Sequence, residues 1–338
     1  MDSVSTRRAF LASLGAAAAL PWTDAWIDRL LAAQNPAQLP PPPGGRLLGT
    51  VPLGRFDGRP TPPLGRLLGA GLDARLFTDI SGLTTESPVT PTEQFFVRTA
   101  ASAAHAARGS VRIRVNGPQA FEITPAELAA QSEPMGTHLL ECSGNTDPAN
   151  FGLISAAAWA GVPVRALLDR VRAASTSFVR VTGFDDTQQR TQTSVPGASW
   201  IFSREDLEQA GAFVATGMNG GPLPIDHGSP ARLVVPGWYG CVCIKWITGI
   251  DVVGADERPT AQMQEFAERT HQVGPGGVPT RARDFQPAVM DLAAMPIRVE
   301  QWQLADSRVY RVVGVRWGGS TRTPALTIRF RHDQRFVR

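Results

Sequence analysis

Hydrophobic and polar positions along the chain predict a mixture of strands and short helices. Residues 111–115 alternate apolar and basic side chains, which is typical of a strand, and Asn116-Gly117 supplies the turn after it. Thr124, Pro125 and Glu127 have the order of an N-cap, a first helical proline and an early acid, so a helix begins there. Further strands are predicted at 138–141, 178–182 and 232–235, and an amphipathic helix at 165–171 after a turn at 161–164. These elements indicate an α+β domain.

The first residues have the pattern of an export signal. Arg7 and Arg8 precede the modestly apolar stretch 11–20, which is too short to span a bilayer. This is a twin-arginine pattern; the alternative is an amphipathic N-terminal helix that contains two arginines. We assign residues 1–34 to the signal region and expect an exported, periplasmic or extracytoplasmic protein, membrane-anchored if the signal is retained.

Residues 35–90 are rich in proline and glycine. They begin with an extended run that includes Pro40 to Pro43, and from Arg46 onward they predict irregular structure that wraps over the main domain. The main domain is assigned to residues 91–290. Residues 291–338 form a separate C-terminal region, with strands predicted at 297–299, 309–317 and 326–330.

Composition restricts the class of protein. A chain of 338 residues that is 43% hydrophobic and 19% charged can bury a large core and should form about two domains. A net charge of +3 is too small to indicate nucleic acid as a partner. Lys245 is the single lysine among 33 basic residues, which suggests that this position needs a compact ammonium group rather than a planar guanidinium.

Cys142 is the cysteine with the clearest potential for chemistry. Cys241 and Cys243 lie two residues apart on one strand and would form only a strained disulfide, so Cys142 has no obvious structural partner. A thiolate bound to a transition metal is one use for such a residue, and a buried strand-end side chain is the other. Gly144 after it would let a large ligand approach the backbone, and Asn145 offers an amide.

Two other kinds of site could use the same residues. A zinc site lacks the usual C-x-x-C or H-x-x-x-H spacing. A cysteine hydrolase would use Cys142 as nucleophile and His138 or His227 as base, but no flanking motif supports it.

A family resemblance favours the metal. The segments that carry it are TEQFFVR at 92–98, ECSGN at 141–145, WAGVP at 159–163, DHGSPAR at 226–232 and Lys245-Trp246. In this order and spacing they resemble the molybdenum cofactor domain of the sulfite oxidase family, over roughly residues 85–290. The resemblance implies Mo-molybdopterin as the cofactor.

The family also implies an architecture. A sulfite oxidase-type molybdopterin-binding domain of mixed α+β structure would be followed by an immunoglobulin-like β-sandwich. Such a sandwich needs about 100 residues, so residues 291–338 would form a partial or truncated one. In relatives this domain makes a homodimer and contributes an active-site arginine, for which Arg316 and Arg322 are the candidates here.

The resemblance assigns roles to individual residues. Cys142 would be the protein's thiolate ligand to molybdenum, beside the pterin dithiolene and oxo groups. Arg98 would hold an anionic substrate beside the metal. The implied cofactor-binding residues are Phe96, Val97, Arg98, Asn145, Asp185, His227, Arg232, Cys243, Ile244 and Lys245.

Two departures from the family pattern bear on the substrate. Typical members have Arg-Asn-His where this chain has Arg98-Thr99-Ala100, and His105 is out of register. They also carry a tyrosine over the metal at the position that Phe266 occupies here. The missing hydroxyl removes a proton donor, which weakens the case for sulfite.

The resemblance therefore predicts an exported, sulfite dehydrogenase-like molybdenum-cofactor oxidoreductase that transfers an oxygen atom to or from a small sulfur compound, with a sulfur oxyanion or a sulfoxide as its substrate. The first alternative is a sulfoxide reductase acting on methionine sulfoxide, although such relatives lack the substrate arginine. The second is a catalytically inactive, cofactor-free binding protein. Because no C-x-x-C-H haem motif is present, we expect an external electron carrier such as a cytochrome or a membrane subunit.

Overall fold

The computed structural model describes residues 42, 44–52, 62–83, 89–108, 111–145, 151–185, 197–267, 270–271, 280–281, 288–319 and 335. Its strands are β1 (Arg46–Pro52), β2 (Ile113–Asn116), β3 (Phe121–Ile123), β4 (Glu133–Glu141), β5 (Ile154–Pro163), β6 (Phe178–Gly183), β7 (Ser199–Ser203), β8 (Phe213–Met218), β9 (Gly221–Pro222), β10 (Arg232–Val234), β11 (Ile247–Val253), β12 (Thr270–His271), β13 (Thr280–Arg281), β14 (Ala293–Gln303) and β15 (Arg308–Trp317). Its helices are α1 (Ala103–Ala107), α2 (Pro125–Ala130), α3 (Val164–Arg170), α4 (Arg204–Gln209) and α5 (Ala261–Phe266). The predicted mixed α+β class is confirmed.

The first large sheet is antiparallel, in the order β10-β8-β5-β4, with β9 added beside β8. Cys142 directly follows β4 at one edge, and Arg232 begins β10 at the other edge. The predicted strands at 138–141 and 232–235 are therefore present. This sheet supplies both the candidate metal ligand and one candidate cofactor-binding cation.

The second large sheet is mixed, in the order β3-β2-β11-β6-β7. Its central pair β2 and β11 is parallel, and the other pairs are antiparallel. Ile247 at the start of β11 pairs with Gly183 at the end of β6. Because of this register, Lys245 and Asp185 come from neighbouring strand ends.

Local sequence signals account for the short helices. At α2, the Thr124 side chain accepts from the Glu127 amide at 3.2 Å, while the Glu127 carboxylate accepts from the Thr124 amide at 2.8 Å. The predicted helix start is therefore confirmed, and so is the helix predicted at 165–171, which is α3.

The turn predicted at 161–164 is wrong, because residues 161–163 complete strand β5 and α3 follows at once. A Cβ atom on Gly161 would lie 2.3 Å from the carbonyl oxygen of Val214. This glycine allows β5 and β8 to approach closely and does not mark a turn.

The two large sheets share one hydrophobic core. It includes Phe95, Trp159, Phe213, Leu233 and Ile247, all nearly inaccessible to solvent. A burial this extensive supplies the main stabilisation of the domain and gives the cleft described below fixed walls.

The third sheet joins distant parts of the chain in the order β1-β14-β15, all antiparallel. Strand β1 corrects the expectation that residues from Arg46 onward are irregular. Its partner β14 lies about 250 residues later, so no local pattern could reveal the pairing. The strands predicted at 297–299 and 309–317 are present within β14 and β15.

The immunoglobulin-like sandwich stays a prediction, because the described C-terminal residues form one sheet and do not test a second one. The strand predicted at 326–330, Arg322 and the twin-arginine segment lie outside the described residues. Within the part of the chain that the structure describes, no helix is long and apolar enough to cross a membrane.

Candidate cofactor-binding site

Cys142 sits in a tight turn after strand β4. Its amide donates to the carbonyl oxygen of Leu153 at 2.9 Å, and its own carbonyl oxygen accepts from the Asn145 amide at 2.9 Å. The residue is only 7% exposed, and its thiol faces a cleft. Burial raises the pKa of this thiol, while the nearby Arg98 and Arg75 charges and a 3.4 Å contact from the Gly144 amide oppose the shift. The buried thiol therefore keeps its proton unless a metal displaces it.

Arg98 reaches the cleft from the segment after Phe95-Phe96. Its guanidinium donates to the carbonyl oxygen of Leu72 at 3.3 Å. Phe96 and Arg98 line the cleft, but the side chain of Val97 points away into a small buried cluster with Ala74 and Leu76. The segment therefore alternates between the two sides, as an extended chain does.

Arg75 is a functional candidate that the sequence did not reveal. Its guanidinium donates to the carbonyl oxygens of Leu72, Ala74 and Arg98, at 3.2, 2.7 and 2.6 Å. Burial, followed by the charge of Arg98, lowers the pKa of Arg75 to about 10. Arg75 thus fixes the backbone that carries Arg98 and adds positive charge near Cys142.

Arg232 is a buried cation at the opposite end of the first sheet. It is 6% exposed, and its two terminal nitrogens donate to the carbonyl oxygens of His227 at 3.0 Å and Cys243 at 3.3 Å. Its Nε is buried and has no hydrogen-bond partner. Burial lowers the pKa of Arg232 to about 10. A buried guanidinium with a spare donor favours an anionic ligand in the cleft.

Lys245 lies close to Arg232 and shares its environment. Its Nζ donates to the carbonyl oxygens of Thr99 and Asp226, the latter at 2.9 Å. Burial, and then the charge of Arg232, lowers the pKa of Lys245 well below its usual value. An anion bound between Arg232 and Lys245 would stabilise the charged forms of both side chains and so raise their pKa values.

A left-handed glycine brings this cationic group together. Gly228 has a φ of 109°, and a Cβ atom there would lie 2.9 Å from the Cβ of Arg232 and 3.1 Å from that of Lys245. A side chain at this position would separate the two residues. The glycine of the Asp226-His227-Gly228 motif therefore serves to pack Arg232 against Lys245.

His227 belongs to the same wall but does not carry charge at neutral pH. Burial, followed by the charges of Arg232 and Lys245, lowers its pKa to about 4. Its Nε2 lies 3.1 Å from the carbonyl oxygen of Thr92. A neutral imidazole can orient a ligand by hydrogen bonding.

Asp185 closes the far side of the cleft. Its carboxylate accepts from the amides of Gly197 and Ala198 at 2.9 and 3.0 Å. Ile244, Cys243 and Phe266 contribute further wall. The cleft has a cavity volume of about 130 Å³.

The structure brings all but two of the predicted site side chains into this cleft. The exceptions are Val97 and Asn145. Asn145 instead supports the turn, since its amide nitrogen donates to Glu141 at 3.2 Å and its oxygen accepts from the Leu153 amide at 3.0 Å. His105 does not line the cleft either. Its Nδ1 accepts from the Ser102 amide at 2.9 Å, at the N-cap of α1.

The lining residues fit the molybdenum cofactor chemically. Cys142 lines the cleft together with Cys241 and Cys243, so thiols are available for a soft metal, and Arg232 and Lys245 supply fixed cations for a phosphate. The unpartnered Nε of Arg232 is a donor that such a ligand would satisfy. Among the described residues, no group of three or more His, Cys, Asp and Glu side chains is placed to hold a metal ion.

Comparison with known proteins supports this assignment. Residues 101–261 match the oxidoreductase molybdopterin binding domain, and this range contains Cys142, Asp185, His227, Arg232 and Lys245. Sulfite oxidase of Gallus gallus is 30% identical over 198 residues, which cover 54% of this chain and 43% of that protein. The chain thus spans about half the length of the sulfite oxidases that it matches.

Two further proteins share part of the chain or its fold. The methionine-sulfoxide reductase catalytic subunit MsrP of Xanthomonas campestris is 38% identical over 101 residues, covering 28% of this chain and 31% of that protein. The sulfane dehydrogenase SoxCD of Paracoccus pantotrophus shares the fold, with a TM-score of 0.52 and 18% identity over 79% of this chain and 74% of that one. The chain therefore contains an oxidoreductase molybdopterin binding domain at residues 101–261, which implies Mo-molybdopterin as its cofactor, and it is similar to sulfite oxidases.

Proposed function

We propose that this protein is a molybdenum-cofactor oxidoreductase that transfers an oxygen atom to or from a small sulfur compound. One observation carries the proposal. The Cys142 thiol lines the same cleft as the cationic side chains of Arg98, Arg232 and Lys245. This combination suits a metal held by sulfur, a phosphate-bearing cofactor and an anionic substrate.

The residues would divide the work by position. Arg232 and Lys245 hold the cofactor's phosphate, His227 and Asp185 orient its polar groups, and Cys142 donates its thiolate. When bound, the cofactor supplies a metal that exchanges electrons and oxygen with the substrate. Cys142 itself is only 7% exposed, so little bulk water reaches its sulfur.

Arg98 would orient the substrate. Its guanidinium can bind two oxygens of an oxyanion at once, and Arg75 fixes its backbone. In the cleft lining, Phe266 supplies a ring without a hydroxyl. In this site the chain therefore orients an anion mainly by charge, without a phenolic proton donor from α5.

A sulfoxide reductase is the second candidate. Its support is the local likeness to the methionine-sulfoxide reductase subunit, together with the phenyl ring at 266. A neutral sulfoxide needs no cation for binding, so Arg98 would contribute little to its affinity. The role of Arg98 thus separates the two candidates.

The setting of the reaction follows from the sequence. We propose that the protein is exported through its twin-arginine segment and passes electrons to an external cytochrome or membrane subunit. We also propose a homodimer formed through the C-terminal region. Fractionation of the producing cells tests the export. Size-exclusion chromatography with light scattering tests the homodimer.

The central experiment is an assay of purified, cofactor-loaded protein. Molybdenum per chain is measured first, because about one metal per chain supports an enzyme and almost none supports a cofactor-free binding protein. Sulfite oxidation and sulfoxide reduction are then followed with artificial electron carriers. Turnover of sulfite or another sulfur oxyanion supports the proposal, turnover of sulfoxides alone selects the second candidate, and turnover of neither despite full metal loading overturns both.

A further inference from the structure

A buried hydrogen bond connects the C-terminal hairpin, which is formed by β14 and β15, to the residue before Cys142. The indole Nε1 of Trp317, at the end of β15, donates to Oε2 of Glu141 at 2.7 Å. Trp317 is 4% exposed and Glu141 is 5% exposed. The contact spans 176 residues of sequence and joins the third sheet to the edge strand β4.

This contact continues into the turn that carries the thiol. The other oxygen of Glu141 accepts from the Asn145 side chain at 3.2 Å, and Asn145 binds the Leu153 amide at 3.0 Å. The Leu153 carbonyl in turn accepts from the Cys142 amide at 2.9 Å. A chain of hydrogen bonds therefore runs from the hairpin through Glu141 to the backbone of Cys142.

Simple packing does not require a glutamate at position 141. Burying a carboxylate is costly unless hydrogen bonds compensate, and an apolar residue of similar size could fill the same space. Glu141 also immediately precedes Cys142 in the chain, so the charge of its carboxylate acts on the site at short range. The glutamate thus influences the thiol by position and by charge.

The same hairpin contains a matched pair that lacks this connection. Trp302 donates to Oε2 of Glu300 at 3.2 Å, and Glu300 also binds Arg298 and Arg311. All four residues lie within β14 and β15. This second pair stabilises the hairpin internally and serves as a control for the first.

We propose that Glu141 and Trp317 are positioning residues through which the C-terminal hairpin sets the placement and electrostatic environment of the Cys142 sulfur. The proposal rests on the proposed role of Cys142 as the metal ligand. It assigns the hairpin a function in the site without any hairpin residue touching the cofactor.

The test compares Trp317→Phe with the control Trp302→Phe. Both changes keep an aromatic ring and remove one indole donor from a buried glutamate. In cofactor-free protein, the alkylation rate of Cys142 by iodoacetamide is measured by peptide mass spectrometry. In cofactor-loaded protein, the molybdenum content and the electron paramagnetic resonance spectrum of the half-reduced metal are recorded.

We expect Trp317→Phe to raise the alkylation rate of Cys142 by about tenfold, because the turn that holds Cys142 opens more often once a hydrogen bond to a charged group is lost. We expect Trp302→Phe to change it by less than about twofold, because its partner Glu300 lies within the hairpin. The resonance spectrum should shift for Trp317→Phe alone. Equal behaviour of the two variants in both measurements overturns the proposal.

Glu141→Gln provides a second variant, because its amide can still accept from Trp317 while the charge is lost. We expect its metal midpoint potential to rise, since removing a nearby negative charge favours the reduced site. An unchanged potential and an unchanged spectrum count against the proposal. If the wild type contains no molybdenum, the proposed function fails, but the alkylation comparison still decides whether Trp317 positions Cys142.

Discussion

The guanidinium of Arg75 donates a 2.6 Å hydrogen bond to the backbone carbonyl oxygen of Arg98. One arginine therefore fixes the backbone of another whose side chain lines the cofactor cleft. Their like charges make this arrangement costly for an empty site, and an anion bound beside them would offset the cost.

Replacing Arg75 with methionine should weaken binding of an anionic substrate. Three hydrogen bonds to carbonyl oxygens are lost, so Arg98 loses its fixed position. We expect KM for a sulfur oxyanion to rise by about tenfold, with a smaller change in kcat. Arg66→Met, at an exposed position of the same segment, should leave both constants near wild type. Similar kinetics in the two variants would contradict the role of Arg75.

Replacing Arg98 with methionine should discriminate between substrate classes. The change removes the guanidinium that would bind an oxyanion, so KM for an anionic substrate should rise by about a hundredfold. KM for a neutral sulfoxide should change by less than about threefold. Steady-state kinetics on both substrates with one enzyme preparation checks this, and equal effects would remove Arg98 from the substrate role.

Replacing Cys142 with serine should abolish turnover while leaving the fold and the bound pterin largely intact. A hydroxyl is a poorer ligand than a thiolate for this metal, whereas the cationic residues that hold the cofactor remain. Pterin content, measured by fluorescence after oxidation, and circular dichroism report on the two intact properties. Cys241→Ser changes a second thiol of the cleft lining and should retain most activity, because Cys241 is not assigned to the metal. Normal turnover by Cys142→Ser would discard the ligand assignment.

Replacing Lys245 with methionine should reduce retention of the cofactor. In the empty protein Lys245 is a cation that burial and Arg232 disfavour, so its removal costs little there. In the loaded protein the phosphate loses one cation, and we expect about tenfold weaker retention. Retention is measured in wild type and Lys245→Met as the pterin content per chain after dialysis. The difference in Tm between the loaded and empty forms of each protein is measured as well. Arg108→Met, whose guanidinium lies 3.9 Å from the Phe184 ring centroid, is the control and should leave retention unchanged.

The empty protein should lose stability as the pH falls from about 6.5 to about 4. His227 has a folded-state pKa of about 4, whereas an unfolded histidine titrates near 6.5. Within this window the unfolded state binds a proton that the folded state refuses, so the free energy of unfolding decreases by at most about 3 kcal/mol. His227→Gln should flatten this decrease in urea titrations, and His105→Gln should not. Parallel curves for wild type and His227→Gln would rule out this source of pH dependence.

The motifs that carry the family resemblance predicted the centre of the site. Cys142 follows a strand as expected, and Arg232, Lys245 and His227 meet in the cleft because Gly228 packs them together. Such motifs combine residues that are close in sequence, so their local geometry is largely fixed by a few backbone angles.

Other parts of the site depend on contacts that no local pattern records. Arg75 comes from a segment with little regular structure and reaches Arg98 through backbone hydrogen bonds. Val97 was expected at the cofactor, but its side chain is buried away from the cleft. This exception could have been predicted, because successive side chains of an extended segment point to opposite sides. Asn145 was expected at the cofactor, but its amide supports the turn, since it pairs with Glu141. Only the tertiary structure distinguishes an asparagine that binds a cofactor from one that supports a turn.

Strand β1 sets how much of the N-terminal segment can be removed without changing the third sheet. Residues 46–52 pair with residues 298–303 of β14, so removing them would expose an unpaired edge on the sheet that holds Trp317. Proteolytic trimming that stops before Arg46 preserves this cover, whereas trimming beyond Pro52 would produce a chain prone to self-association.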